Sequence, residues 1–209
     1  MGFGWPAAFT PGLRFTFGVD CHTNNTASIP AMARASLQMA RQREAVAVTM
    51  GDGCDAPAHM HKAPVGSTEE AFNAATIGGA RAVLLGDSIG SLREGKLADL
   101  VVFDAAGSPG MCCAAETDPL TAVLRHSDVR DVEAVMVDGV WRKRGGKLIA
   151  VTVGKGETLE WAAVRTKLLK SQADILERQK GLNMEKAKEA LVAMFQIDES
   201  RLVKGKPSS

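Results

Sequence analysis

The sequence predicts an α/β chain that opens on a strand and closes in helices, and three patterns predict it. Leu13, Phe15, Phe17 and Val19 alternate with Arg14, Thr16 and Gly18, the period of a strand with one buried face. Apolar residues then recur at helical spacing, first from Ile29 to Ala40 and again from Phe72 to Val83. Between residues 86 and 153 short β segments surround Asp138-Gly139, a two-residue turn whose twist suits an antiparallel hairpin.

Taken in order, the first strand ends on Asp20, and the stretch to Asn25 (DCHTNN) reads as a loop carrying acidic, imidazole and amide groups. Ser28-Ile29-Pro30 starts a helix over 29–43, with serine as cap and proline in the first turn, and Ile29, Met32, Ala33, Leu37 and Ala40 facing inward. In a parallel α/β barrel, this strand–Asp–loop–helix order puts Asp20 on the catalytic face. The stretch VAVTMGDGCDAPAHMHKAPVG, rich in Gly, Pro and Asp, reads as a long loop. Ser67-Thr68-Glu69-Glu70 is a capping-box pattern that opens a second helix, in which Ala75, Gly78, Gly79 and Ala80 allow close backbone packing. An apolar run from Leu97 to Phe103 follows the Glu94-Gly95 turn, and Asp118-Pro119 starts a short helix through Leu124. From Glu157 to Lys180 an apolar stripe of Trp161, Val164, Leu168, Ile175 and Leu176 reads as helix, stopped at Gly181. A last helix is capped by Asn183 and turns Ala187, Leu191, Met194 and Phe195 inward; the terminal GKPSS is expected to fray.

Composition narrows the function classes. With 209 residues, 45% hydrophobic and 23% charged, the chain has the make-up of a globular protein able to bury a core. The 25 basic and 24 acidic residues leave a net charge of +1, so no bulk field draws nucleic acid or anionic lipid. No apolar run reaches the roughly 18 residues of a membrane span, and MGFGWPAAFTPG lacks the blocks of a secretory signal. The expectation is a cytoplasmic protein with neither membrane nor nucleic-acid partners. Cys21, Cys54, Cys112 and Cys113 show no C-x-x-C spacing and read as free thiols.

Four segments taken together, GVDCHTNN, EAFNAATIGGARAV, IGSLREGKLADLVVFD and VEAVMVDGVWRKRGGKL, resemble the C-terminal part of the metal-dependent amidohydrolase superfamily. The likeness covers roughly residues 10–153, is most specific from Ile89 to Asp104, and points to the branch of cytosine-deaminase-like and chlorotriazine-hydrolase-like enzymes. It implies a (β/α)8 barrel followed by a small β-sandwich built from both chain ends. On that comparison residues 1–85 are a barrel remnant holding the eighth strand, 86–153 the C-terminal part of the composite sandwich, and 154–209 C-terminal helices and tail. The implied reaction is hydrolysis of non-peptide C–N bonds in cyclic amides, amidines, ureas or heterocycles, including deamination, with a divalent metal, zinc or iron.

By the same resemblance Asp20 is the catalytic carboxylate. It would coordinate metal in a complete site and pass a proton from the attacking water to the leaving nitrogen, a role that suits a short acid on a rigid strand end. His22, Asn24 and Asn25 are candidate substrate contacts at the pocket mouth; the alternatives are a histidine bonded to local backbone and asparagines that form turns or caps. The family's other ligands, an H-x-H pair and later histidines, precede this aspartate, whereas nineteen residues precede Asp20 here. A catalytic zinc takes about three protein ligands. The chain therefore reads as a fragment, a truncated product, a degenerate paralogue or half of a split enzyme, with no metal bound and no activity on its own. A non-catalytic interaction or dimerisation module is the rival reading, and self-association is expected because a lone barrel strand leaves edges and an apolar face uncovered. His59-Met60-His61 has the H-x-H form but stands in a loop 39 residues after Asp20, and solvated histidines are the favoured reading. Cys112-Cys113 read as inert thiols, Arg142-Lys143-Arg144 as a solvated strand end, and the Trp161–Leu176 stripe as packing surface.

Overall fold

The computed structural model describes residues 9, 12–20, 26–50, 64–154 and 156–201. His22, Asn24, Asn25, His59, His61, Cys21, Cys54 and the terminal GKPSS lie outside the described residues. The chain divides into two units, Met1–Val151 and Thr152–Ser209.

In the first unit the helix α1 runs Ile29–Met50, past the expected end near residue 43. Val46, Ala47 and their neighbours contain no Gly or Pro before Gly51, so nothing local stops the helix where the apolar period fades. Ser28 Oγ accepts the Ala31 N–H at 3.3 Å, and Met32, Ala33 and Leu37 are buried as the spacing predicts, joined by Ser36. Ile29 and Ala40 are half-buried. Arg34 sends Nε to Leu124 O at 3.0 Å and Nη2 to Ser127 O at 2.6 Å, satisfying carbonyls at the end of a helical segment 90 residues away. Arg41 donates to Val65 O and Gly66 O, and partial burial followed by the charge of Arg125 pushes its guanidinium below its usual pKa.

The second helical stretch is three pieces: α2 (Thr68–Asn73), a wider π turn (Ala74–Gly78) and α3 (Gly79–Ala82). Its capping box is formed, with Ser67 Oγ taking the Glu70 N–H at 3.0 Å and Glu70 Oε2 the Ser67 N–H at 2.8 Å. Two further helices, α4 (Cys112–Thr117) and α5 (Pro119–Thr121), lead into a π segment, Ala122–His126. No periodicity announced α4, which is six residues of mostly small side chains. Asp118 caps α5 by accepting the Thr121 N–H at 3.0 Å, and helical structure runs to His126, two residues beyond Leu124. The core is Phe9, Ala33, Leu37, Ala71 and Leu124, with Phe15, Phe17, Ala40, Val65 and Phe72 packed against it.

Beside this helical layer stands a four-stranded antiparallel sheet in the order β1 (Leu100–Phe103), β2 (Val132–Val137), β3 (Val140–Arg144), β4 (Lys147–Leu148). The strand expected from Leu97 starts only at Leu100, because Leu97 to Asp99 close a local turn instead, with the Asp99 N–H on Leu97 O at 3.0 Å. The hairpin forms at Asp138-Gly139, both residues at positive φ (49° and 73°), the conformation that makes Asp-Gly the favoured pair there. The Asp138 N–H is held by Asp99 Oδ1 at 2.7 Å.

The strand β5 (Val151–Val153) begins on the last residue of the first unit; the second unit continues it and holds β6 (Glu157–Leu159), which pairs with it, then α6 (Trp161–Gln179) and α7 (Met184–Met194). Glu157 to Leu159 are therefore strand, not the first turn of a helix; the glycine at 156 reverses the chain and Glu160 starts α6. Asn183 caps α7 as expected, its Oδ1 accepting the Lys186 N–H at 3.1 Å. Lys188 pairs with Glu199 at 3.1 Å, a hydrogen bond that raises its pKa. The expected inward turn of Leu191, Met194 and Phe195 is corrected: they are 51%, 72% and 58% exposed. Among the described residues no helix is long and apolar enough to cross a membrane.

Candidate functional site

Leu13 to Asp20 is not a strand of either sheet, and Leu13, expected on the inner face, is 47% exposed; from Arg14 on, burial alternates, with Phe15, Phe17 and Val19 half-buried and Arg14, Thr16, Gly18 and Asp20 exposed. Aromatic packing fixes the inner face. The Phe15 ring meets Phe9 edge-on at 4.8 Å and Phe17 at 5.7 Å, and both are seated on the core under α1 and α2. The outer face is tied down by Thr16, whose hydroxyl donates to Ala74 O at 2.9 Å, where the π turn begins. The small residues predicted to allow close approach do so. A Cβ on Gly79 would stand 3.2 Å from Thr16 Oγ1, and one on Gly78 3.6 Å from Phe15 O.

Asp20 is the last residue of this segment. Its φ of 59° is left-handed, a region aspartate enters more readily than most side chains, and it turns the chain out of the run with the carboxylate in solvent. The geometry is an exposed acid on the end of a segment held on one face by the core and on the other by Ala74 O.

A cavity lies elsewhere in this unit. A groove of about 1610 Å³ runs between the helical layer and the sheet, lined by residues such as Ile29, Phe72, Ile77, Val101, Phe103 and Val135, and Asp20 is not among its walls. Its lining includes Lys96, whose ammonium is already used: it donates to Gly86 O, Ile89 O at 3.2 Å and Ser91 Oγ at 2.8 Å, and so organises the loop before β1. Gly90 fits this loop to the helix, since at its φ of 84° a Cβ would stand 2.5 Å from the Ala80 Cβ. The groove's apolar walls suit packing more than turnover.

Cys112 and Cys113 are free thiols with their sulfurs 3.9 Å apart, and Arg144 stacks over the Trp141 ring at 5.4 Å. Among the described residues no group of three or more His, Cys, Asp or Glu side chains is placed to hold a metal ion. Asp20 offers one carboxylate where a catalytic zinc takes about three protein ligands. The described residues do not by themselves fit a metal centre.

Thr16, Arg34 and Lys96 are positioning residues that the sequence reading passed over.

The model of the amidohydrolase family matches residues 6–142. No curated protein matches the chain. Among solved structures, the chain is similar to an adenosine deaminase from Xanthomonas campestris with bound zinc, at a TM-score of 0.52 and 24% identity over 75% of this chain and 30% of that one. It is also similar to the guanine deaminase of E. coli, at a TM-score of 0.49 and 22% identity over 63% of this chain and 28% of that one. The chain thus spans less than a third of the length of either deaminase. With a family model covering most of the first unit, including Asp20, the two π segments and three strands of the sheet, the chain belongs to the amidohydrolase family.

Proposed function

We propose that this chain contributes the closing strand of an amidohydrolase barrel and its proton-transferring carboxylate, Asp20, to a hydrolase of non-peptide C–N bonds. The observation that carries this reading is the placement of Asp20: exposed, left-handed in φ, and last in a segment with one face packed on the core and the other bonded to Ala74 O. A carboxylate so held can take a proton from an attacking water and hand it to the leaving nitrogen of a cyclic amide, amidine, urea or amino-heterocycle. His22, Asn24 and Asn25, which follow directly in sequence, are the proposed substrate contacts. The family's divalent metal, zinc or iron, needs more donors than Asp20. We place the remaining ligands on further sequence of the same protein or on a second chain, as in a split enzyme, and these 209 residues alone are proposed to be inactive.

A second reading, a non-catalytic interaction module, is favoured by the second unit, where Trp161, Leu168 and Leu176 are more than half exposed. Two measurements separate the readings. Elemental analysis of the dialysed chain should find no stoichiometric zinc or iron. One tight metal per chain, lost on His59→Ala or His61→Ala, would show that the loop histidines were wrongly set aside. Where the site is completed by the missing barrel portion of a family enzyme, Asp20→Asn should lower kcat by about 10² to 10⁴, the worth of a general base. Turnover close to that of the unsubstituted protein would remove Asp20 from the mechanism and leave the module reading.

A further inference from the structure

The second unit shows an apolar helical face that its own residues leave uncovered. Trp161, Leu168 and Ile175 repeat every seven residues on α6, with Val164 and Leu176 completing the stripe, and α6 buries none of its side chains. Trp161, Leu168, Leu169 and Leu176 are each 54% or 55% exposed, and Ile175 is 43% exposed.

We propose that the chain forms a two-fold dimer through this unit, α6 of one copy packing antiparallel on α6 of a second. Charge selects both the partner and the direction. Lys167 and Asp174 are seven residues apart, so they occupy the same flank of the apolar stripe, the heptad position that faces its own equivalent in an antiparallel pair. They also stand almost symmetrically about the middle of the Trp161–Gln179 helix. An antiparallel pairing therefore sets Lys167 of each copy against Asp174 of the other, twice over by symmetry. A parallel pairing would set Lys167 against Gln172 and Asp174 against Gln179, and form neither ion pair. The existing contact of Lys167 with Glu157, 3.4 Å between exposed groups, is weak enough to be exchanged. In this register Leu168 of one helix packs beside Ser171 of the other, and Val164 beside Ile175.

Sedimentation equilibrium of the full chain tests the proposal. The unsubstituted chain should reach a dimer as concentration rises. Lys167→Asp places like charges together at both symmetric contacts and should raise the dimer Kd about tenfold or more. The double variant Lys167→Asp with Asp174→Lys restores both pairs and should return Kd to within a few-fold of the original. Circular dichroism of each variant checks that helix content is unchanged, as expected for exposed positions. A chain that stays monomeric throughout overturns the proposal, and the stripe is then covered by the first unit or by another protein. A charge-swapped pair that dimerises no better than the single variant, or a single variant that dimerises undiminished, likewise overturns it.

Discussion

The two longest helices among the described residues, α1 and α6, are built on the same pattern and have opposite fates. Each spans about five or six turns, carries an apolar stripe at helical spacing and bears charges on its other side. Yet α1 buries Met32, Ala33, Ser36 and Leu37, whereas α6 buries nothing. The difference lies outside both helices. α1 is crossed by Phe9 and Phe15 from before it and by Ala71 and Leu124 from after it, elements up to 95 residues apart in sequence, counting from Leu124 to Ile29. Periodicity states which face is apolar, and burial depends on what the rest of the chain brings to that face.

The sharpest way to break this contrast is to truncate one leucine on each stripe. Leu37 is 2% exposed within the core, so Leu37→Ala should cost about 2–5 kcal/mol through lost burial and a residual cavity. Leu168, at 55% exposure, should lose only a few tenths of a kcal/mol on the same change when the protein is dilute enough to be monomeric. Urea denaturation of both variants at low concentration gives the comparison, and equal losses would mean that α6 is covered as fully as α1.

Much of this architecture could be read from the sequence where a local rule has a local cause. The capping box at Ser67, the Asp138-Gly139 turn and the Asn183 cap each depend on side chains within one or two turns of one another, and each stands as expected. Asp20 was legible as the end of an alternating segment, and its exposure and turn are features of that end. Other features depend on contacts between distant residues. The π turn at Ala74 coincides with a hydroxyl donated from Thr16, 58 residues away, and the loop before β1 is gathered by the three acceptors of Lys96. The short α4 had no periodicity to betray it, and Glu157 to Leu159 became strand because Gly156 lets them fold back on β5. The groove between helices and sheet needs both layers in place before it exists, which no single segment encodes.

A smaller effect sharpens the contrast through arginine. Arg34 of α1 reaches out of its helix to Leu124 O and Ser127 O, while among the described residues Arg178 of α6 donates within its own helix, to Asp174 O at 3.3 Å. Arg34→Met keeps most of the apolar stem but leaves two carbonyls without their donor, and should cost about 1.5–3 kcal/mol, the worth of hydrogen bonds to a charged group. Arg178→Met should fall within about 0.5 kcal/mol of the unsubstituted chain. If the two variants melted alike, the guanidinium clamp would not be what ties α1 to the Ala122–His126 segment.

The smallest expected effect compares the caps of two helices, one in each unit. Asp118 caps α5 and Asn183 caps α7, each through a side-chain oxygen on a backbone N–H three residues ahead. Only the first can titrate. The Thr121 hydroxyl, 2.6 Å from Asp118 Oδ2, and then the Thr121 N–H hold the Asp118 carboxyl below its usual pKa of 3.8. A carboxyl with a depressed folded pKa favours the folded state most when ionised, so its contribution is fully present above about pH 4 and is lost as pH falls through the lower folded value. Asp118→Asn keeps an oxygen that can cap but removes the charge. The unsubstituted chain should therefore be slightly more stable than this variant at neutral pH, and the gap should close as pH drops below 4. Thermal melts of the pair from neutral to acidic pH measure that gap, with Asn183→Asp as the converse, gaining a cap that weakens in acid. A gap that stayed constant across the range would show that Asp118 caps α5 by its shape and not by its charge.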